Sequence, residues 1–415
     1  MESEFSIGID AVAKDGSIHG DQRQAHVSGA INSSSSSHLA GTHPSHMEAA
    51  STEAAAYYQL DHGSLLRAVQ KRLSTNPFLL GKVGRMLAEN VQEATEKAKF
   101  ELTDGAVAEA LTDVGYGTMD VLTAEQVADV HRYISDKLVV APCNATNGRA
   151  TPGRLEDFSD EPQVVHAFPD VLNAPHLLET ALNPHVLGVV CDYLGCLPMV
   201  TDMSLSWTNP AGQIGPPNTS FRRESNDFRW VAMLVYLTDT NTGPGAQCFV
   251  RGSHQPVKYT ELVNQRLAIP EFSALAQSAG IDLNQLPLSA WTCDDRFDTF
   301  YKRAFADLTD VIRVAAGTAV LEDSKGLHYG LAPEKHARLA LRVVYGAYEN
   351  TCYQKSTMRK VTPDVVTGRV SRDPMTRYVG QLLIDDSPPD AQTTGVATPS
   401  VTNRTPQTSS NHIHA

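Results

Sequence analysis

From about residue 200 the sequence breaks into short runs of β-branched and aromatic residues separated by glycine and proline, and this rhythm restricts the fold more than any other feature. MSLSWT, WVAMLVYLTD, QCFV, TAVL and ARLALRVVYGAY are each of strand length and bounded by turn formers. In the last run Leu339, Leu341, Val343 and Tyr345 recur at every second position, which puts them on one face of an extended strand. Short strands with irregular connections predict a sandwich or jelly roll, not a doubly wound sheet whose strands alternate with long helical runs.

Upstream the period changes. Leu65, Leu66, Val69 and Leu73 fall at helical spacing and predict a helical extension over residues 53–100. TMDVL then reads as a strand, and Thr123 followed by Gln126 has the spacing of a capping box that starts a helix. Residues 1–52 hold the serine run Ser33–Ser37 and few large apolar side chains, too little to offset chain entropy, so a disordered polar tail is expected. The β domain is expected over 101–355, and a C-terminal extension over 356–415 that is disordered from about 386.

A formal charge of −13 on 415 residues argues against a nucleic-acid partner, because phosphate neutralisation needs a dominant basic face. No run approaches the ~18 apolar residues of a membrane span, and the first residues lack the basic and apolar regions of a secretory signal. Six cysteines have neither the density nor the spacing of a disulfide framework, so reduced thiols and a cytoplasmic location are expected. A small molecule is the expected partner; self-association and a protein partner are left open.

Two segments carry chemistry. In residues 221–254, Asp227-Phe228-Arg229, Tyr236-Leu237-Thr238-Asp239, Gly243-Pro244 and Gly252-Ser253-His254 follow one another in order. In residues 322–345, Asp323, Gly326, His328, Gly330 and Pro333 are followed by Arg338, ten residues after the histidine. Together they resemble the phytanoyl-CoA dioxygenase family of non-haem iron, 2-oxoglutarate-dependent oxygenases. The resemblance implies a mainly β fold with flanking helices around a double-stranded β-helix core. It also implies Fe(II) and 2-oxoglutarate as cofactors, and hydroxylation or desaturation of a small apolar substrate. His328 would be the distal iron ligand, and Arg338 would bind the far carboxylate of 2-oxoglutarate.

Iron in such a site takes two imidazoles and a carboxylate on one face and keeps the other positions open. The family's His-x-Asp falls on Arg222-Arg223-Glu224. Glu224 keeps the carboxylate, so Glu224 and His328 are the candidate metal-binding and catalytic residues, with Arg338 for the co-substrate. Arg222 is the departure: a guanidinium stays protonated and has no lone pair for a metal. In an extended segment Arg222 and Glu224 point the same way, so the arginine is expected to pair with the carboxylate that would bind iron. Two readings stand side by side: an oxygenase with Glu224 and His328 on the metal, and a non-catalytic member that keeps the jelly roll as a binding or partner module.

His166 and His254 are the alternatives for a third ligand, with a structural role expected for His254 in its turn-like element. The stretch 255–315 carries Trp291, Phe297, Phe300, Tyr301 and Phe305 and reads either as a helical lid or as ordinary helix packing.

Overall fold

The computed structural model describes residues 69–70, 73, 76–141, 151–210, 219–224, 227–241, 245–281, 295–347 and 373–383. The expected tails 1–52 and 386–415, and the positions Leu65, Leu66 and Trp291, lie outside the described residues.

Among the described residues ten strands make two antiparallel sheets. The strands are β1 (Tyr116–Asp120), β2 (Val139–Val140), β3 (Gln163–His166), β4 (Met199–Thr208), β5 (Trp230–Tyr236), β6 (Gln247–Val250), β7 (Thr309–Ile312), β8 (Thr318–Glu322), β9 (His328–Gly330) and β10 (Arg338–Gly346). The larger sheet runs β1-β8-β5-β10-β4-β3-β2, and the smaller runs β7-β6-β9. From β4 onward the chain passes repeatedly between them. Arg222 forms an isolated bridge to His328 in the smaller sheet, β5 returns to the larger, β6 and β7 lie in the smaller, and β8, β9 and β10 alternate. This winding is the double-stranded β-helix, a jelly roll.

The helices used below are α1 (Pro77–Ala94), α2 (Gly105–Asp113), α3 (Ala124–Ile134), α4 (Pro184–Leu194), α5 (Pro256–Leu267), α6 (Pro270–Ser278) and α7 (Asp295–Ala304). α3 starts with both bonds of the box: Gln126 N–H donates to Thr123 Oγ1 at 3.3 Å, and Thr123 N–H donates to Gln126 Oε1 at 2.8 Å. Its Val127, Val130 and Ile134 join a core with Val107 and Leu111 of α2, Val186, Leu187 and Val190 of α4, and the outward face of the larger sheet. That face presents Met203 and Leu205 of β4, Val231, Met233 and Val235 of β5, and Leu339, Leu341, Val343 and Tyr345 of β10. The alternation in the sequence is thus the helix-packed face of the sheet.

In the helical extension Val69 is 39% exposed, while the adjacent Gln70 is buried at 3%; tertiary packing overrides the apolar spacing there. In the stretch 255–315, Phe300, Tyr301 and Phe305 pack with Tyr259 and Val263 of α5, Ala276 of α6 and Leu327 in a second buried cluster. Helix packing describes these aromatics.

Candidate functional site

The inward face of the larger sheet forms a wall of a cavity of about 410 Å³. β4 contributes Asp202, Ser204, Ser206 and Thr208 and β10 contributes Arg338, Ala340 and Arg342, in both strands alternate positions. Leu234 and Tyr236 of β5 and Glu322 of β8 extend the wall, and Arg222 and Glu224 approach from the side of the smaller sheet.

The backbone fixes Arg222 and His328 as a pair. Arg222 N–H donates to His328 O at 3.0 Å and His328 N–H donates to Arg222 O at 3.1 Å. Two residues on, Glu224 N–H donates to Ser324 O at 2.8 Å. Extended geometry therefore turns Arg222 and Glu224 into this cavity, whereas Arg223 lines a different one.

His328 is fully buried, and its Nδ1–H donates to Gly326 O at 2.9 Å. Its Nε2 lies 3.7 Å from Glu224 Oε1, too long for a hydrogen bond, and has no hydrogen-bond partner among the described residues. The ring stacks on Phe249 with centroids 6.5 Å apart. Gly326 permits this arrangement, because a Cβ there would run into the Phe249 ring.

Glu224 is engaged on both oxygens. Arg342 Nη2 donates to Oε2 at 3.0 Å, and Arg222 Nε stands 3.8 Å from Oε1. Burial disfavours the charged carboxylate, but Arg342, His328 and Arg222 outweigh it and hold its pKa well below the ordinary range. Arg342 Nη1 also donates to Asp202 Oδ2 at 2.9 Å, so one guanidinium joins two carboxylates. Burial wins at Asp202, whose pKa is raised despite that partner.

Arg338 sits at the other end of the cavity. Its Nη1 donates to Gly245 O at 2.6 Å and its Nη2 to Thr208 Oγ1 at 3.0 Å. Its guanidinium lies 5.8 Å from the Tyr236 ring centroid, and its Nε–H has no partner among the described residues. The Tyr236 hydroxyl is likewise buried without a partner, and burial pushes its pKa up to about 12. Glu322 is held by the Gln247 amide at 3.0 and 3.2 Å.

The donor set does not fit a facial iron triad. The place of the second imidazole is taken by a guanidinium, and the carboxylate is bonded to another. A divalent ion about 4 Å from a guanidinium meets a repulsion of about 8 kcal/mol at an effective dielectric of about 20. No group of three or more His, Cys, Asp or Glu side chains is arranged for a metal among the described residues. None of His166, His254 and His328 lines the cavity, and of the three only His328 lies against a lining residue, its Nε2 being 3.7 Å from Glu224 Oε1. His166 Nε2 accepts from Trp207 Nε1 at 3.2 Å, and the His254 ring bonds Thr112 O through Nε2 at 3.0 Å.

Glu224, His328 and Arg338 were all marked in the sequence, and Glu224 and His328 meet side by side. Arg342 and Asp202, which decide the electrostatics of Glu224, were not. The signal for them is the same alternation that marked the apolar face of β10, read on its other face.

No helix among the described residues is long and apolar enough to cross a membrane. No protein-family model and no curated protein matches the chain. Among solved structures, similarity is found to the non-haem α-ketoglutarate-dependent epimerase SnoN from nogalamycin biosynthesis, at 14% identity and a TM-score of 0.37, over 58% of this chain and 82% of that one. It is also found to the non-haem α-ketoglutarate-dependent carbocyclase SnoK from the same biosynthesis, at 17% identity and a TM-score of 0.36, over 59% of this chain and 83% of that one. A third is HygX from Streptomyces hygroscopicus with nickel and 2-oxoglutarate bound, at 14% identity and a TM-score of 0.36, over 67% of this chain and 95% of that one.

Proposed function

We propose that the cavity binds a small carboxylate-bearing molecule, such as 2-oxoglutarate, without iron-dependent turnover, in a jelly roll built on the plan of the phytanoyl-CoA dioxygenase family. The observation that carries this reading is Arg222, which is bridged through its backbone to His328 and stands 3.8 Å from Glu224. A fixed cation occupies the place of a metal ligand. Arg338 supports the carboxylate ligand: it lines the cavity and has no carboxylate partner among the described residues. A carboxylate at its unpaired N–H groups gains charge-assisted hydrogen bonds.

The second reading is the 2-oxoglutarate-dependent oxygenase itself, hydroxylating or desaturating a small apolar molecule. Its support is the His328 Nε2 atom, buried without a hydrogen-bond partner among the described residues and 3.7 Å from a carboxylate oxygen. In either reading residues 101–355 form the functional domain, with 53–100 and 356–415 as extensions. The buried free thiols Cys191, Cys196 and Cys248 suit a reducing compartment, the cytoplasm.

Anaerobic Fe(II) titration, 2-oxoglutarate binding by calorimetry, and oxygen-dependent succinate formation separate the two. The natural protein is expected to bind 2-oxoglutarate without metal, to lose that binding in Arg338→Ala, and to form no succinate. Tight stoichiometric Fe(II) binding with succinate formation that disappears in Glu224→Ala establishes the oxygenase instead.

A further inference from the structure

A second cavity, of about 450 Å³, opens where α1, the segment around residues 223–229 and the start of α5 meet. α1 reaches this place through Gly84, whose Cβ would stand only 2.6 Å from Phe228 O. Among the described residues the charged side chains of its lining are Arg85, Arg223, Arg229 and Lys325 against a single carboxylate, Asp323. In a chain of net charge −13 this is a concentrated reversal of sign.

The carboxylate is already committed. Asp323 Oδ2 accepts from the Tyr193 hydroxyl at 2.6 Å, and Oδ1 accepts from the Lys325 backbone N–H at 3.0 Å. Lys325 Nζ is left 3.7 Å from Oδ2, a Coulombic distance but not a hydrogen bond. Arg229 donates to the Tyr193 carbonyl, has no carboxylate partner among the described residues, and keeps a buried Nε–H without a partner. Three of the four cations rest on aromatic faces: Arg223 is 4.5 Å from the Tyr259 ring centroid, Lys325 is 5.0 Å from that of Trp230, and Arg229 is 5.7 Å from that of Tyr193. Burial lowers the pKa of Lys325 and pushes that of Asp227, the other acid Lys325 feels, up to about 7. His254, which also lines the cavity, has its pKa lowered by burial and adds no charge there.

α5 begins at the rim. Its N-cap Gln255 makes no side-chain capping bond and its first turn has no acidic residue, so the positive end of the helix adds to the same field. Pro77, Leu80, Phe228 and Val257 supply an apolar wall beside the cations.

We propose that this cavity is an anion site for a small organic phosphate, whose phosphate is held by Arg229, Lys325 and Arg85 and whose apolar part lies on the Pro77, Leu80 and Val257 wall. The site is separate from the carboxylate cavity: the two share no lining residue among the described residues, although neighbours along the chain, Arg222 and Glu224 against Arg223 and Glu322 against Asp323, line one each.

The test is calorimetric titration of the full chain with phenyl phosphate and with inorganic phosphate, at ionic strength matched with chloride. Phenyl phosphate is expected to saturate with a dissociation constant at or below about 1 mM, and about tenfold more tightly than inorganic phosphate. Arg229→Met is expected to weaken it about tenfold or more, and the exposed Arg85→Gln, which leaves the core untouched, severalfold. Arg338→Ala is expected to abolish 2-oxoglutarate binding in the first cavity and leave phenyl phosphate binding as it was, so the two assignments fail independently. Absence of saturable binding up to about 10 mM overturns the site. An affinity unchanged in Arg85→Gln and in every folded Arg229 variant overturns it as well.

Discussion

Replacing Arg342 with methionine tests the electrostatic description of the carboxylate cavity. In the native protein Arg342 stands 2.9 Å from Asp202 and 3.0 Å from Glu224 and is their shared cation. Removing one partner of a buried ion pair costs about 3–5 kcal/mol, because an uncompensated charge is left behind. With 21% of the Arg342 side chain exposed, water relieves part of that cost, and a loss of about 3 kcal/mol near pH 7 is expected. The pH dependence carries a sign. Glu224 has a folded pKa below its ordinary value of 4.5, so its contribution is present above that value and is lost as the pH falls through the depressed folded one. In Arg342→Met that depression is reduced, so the variant is most destabilised near neutral pH and approaches the native protein as the carboxylates take up protons. Urea unfolding from about pH 7 down to about pH 2, across the range below 4.5 in which the contribution is lost, with the m-value checked for constancy, measures this. A difference below about 1 kcal/mol at neutral pH, or one that does not shrink on acidification, refutes the shared-cation description.

Other perturbations read the scaffold. Leu341→Ala removes a fully buried side chain between the larger sheet and its helices and is expected to cost about 2–5 kcal/mol in urea unfolding. Thr123→Ala removes the cap of α3 and is expected to cost about 1 kcal/mol, seen as a lower melting temperature. Gly326→Ala forces a methyl group against the Phe249 ring and is expected to cost about 1–3 kcal/mol and to shift the His328 imidazole resonances in NMR, because the two rings are stacked.

Local signals carried much of the fold. The alternation of Leu339 to Tyr345, the Thr123–Gln126 box and the short strands of the second half are properties of a few neighbouring residues, and each is visible without the rest of the chain. The site was legible where a local pattern surrounded a residue, as Gly326 and Gly330 surround His328. It was not legible where two elements far apart in sequence meet. Arg342 finds Asp202 across 140 residues and Glu224 across 118, and nothing near any of the three announces the pairing. The polar stripe Asp202, Ser204, Ser206 and Thr208 has strand periodicity in plain view, but only the winding of the β-helix makes that face the wall of a cavity rather than a solvated surface.

The bridge between Arg222 and His328 is made wholly by main-chain atoms, so the residue at 222 is chosen independently of the architecture around it. Arginine and histidine codons can differ by a single base. Exchange of arginine for histidine at 222 would therefore leave the main-chain bridge and the strand register in place. For chains of this kind the identity at that one cross-strand position, together with the partner its neighbouring carboxylate has taken, is the quantity to read before any chemistry is assigned.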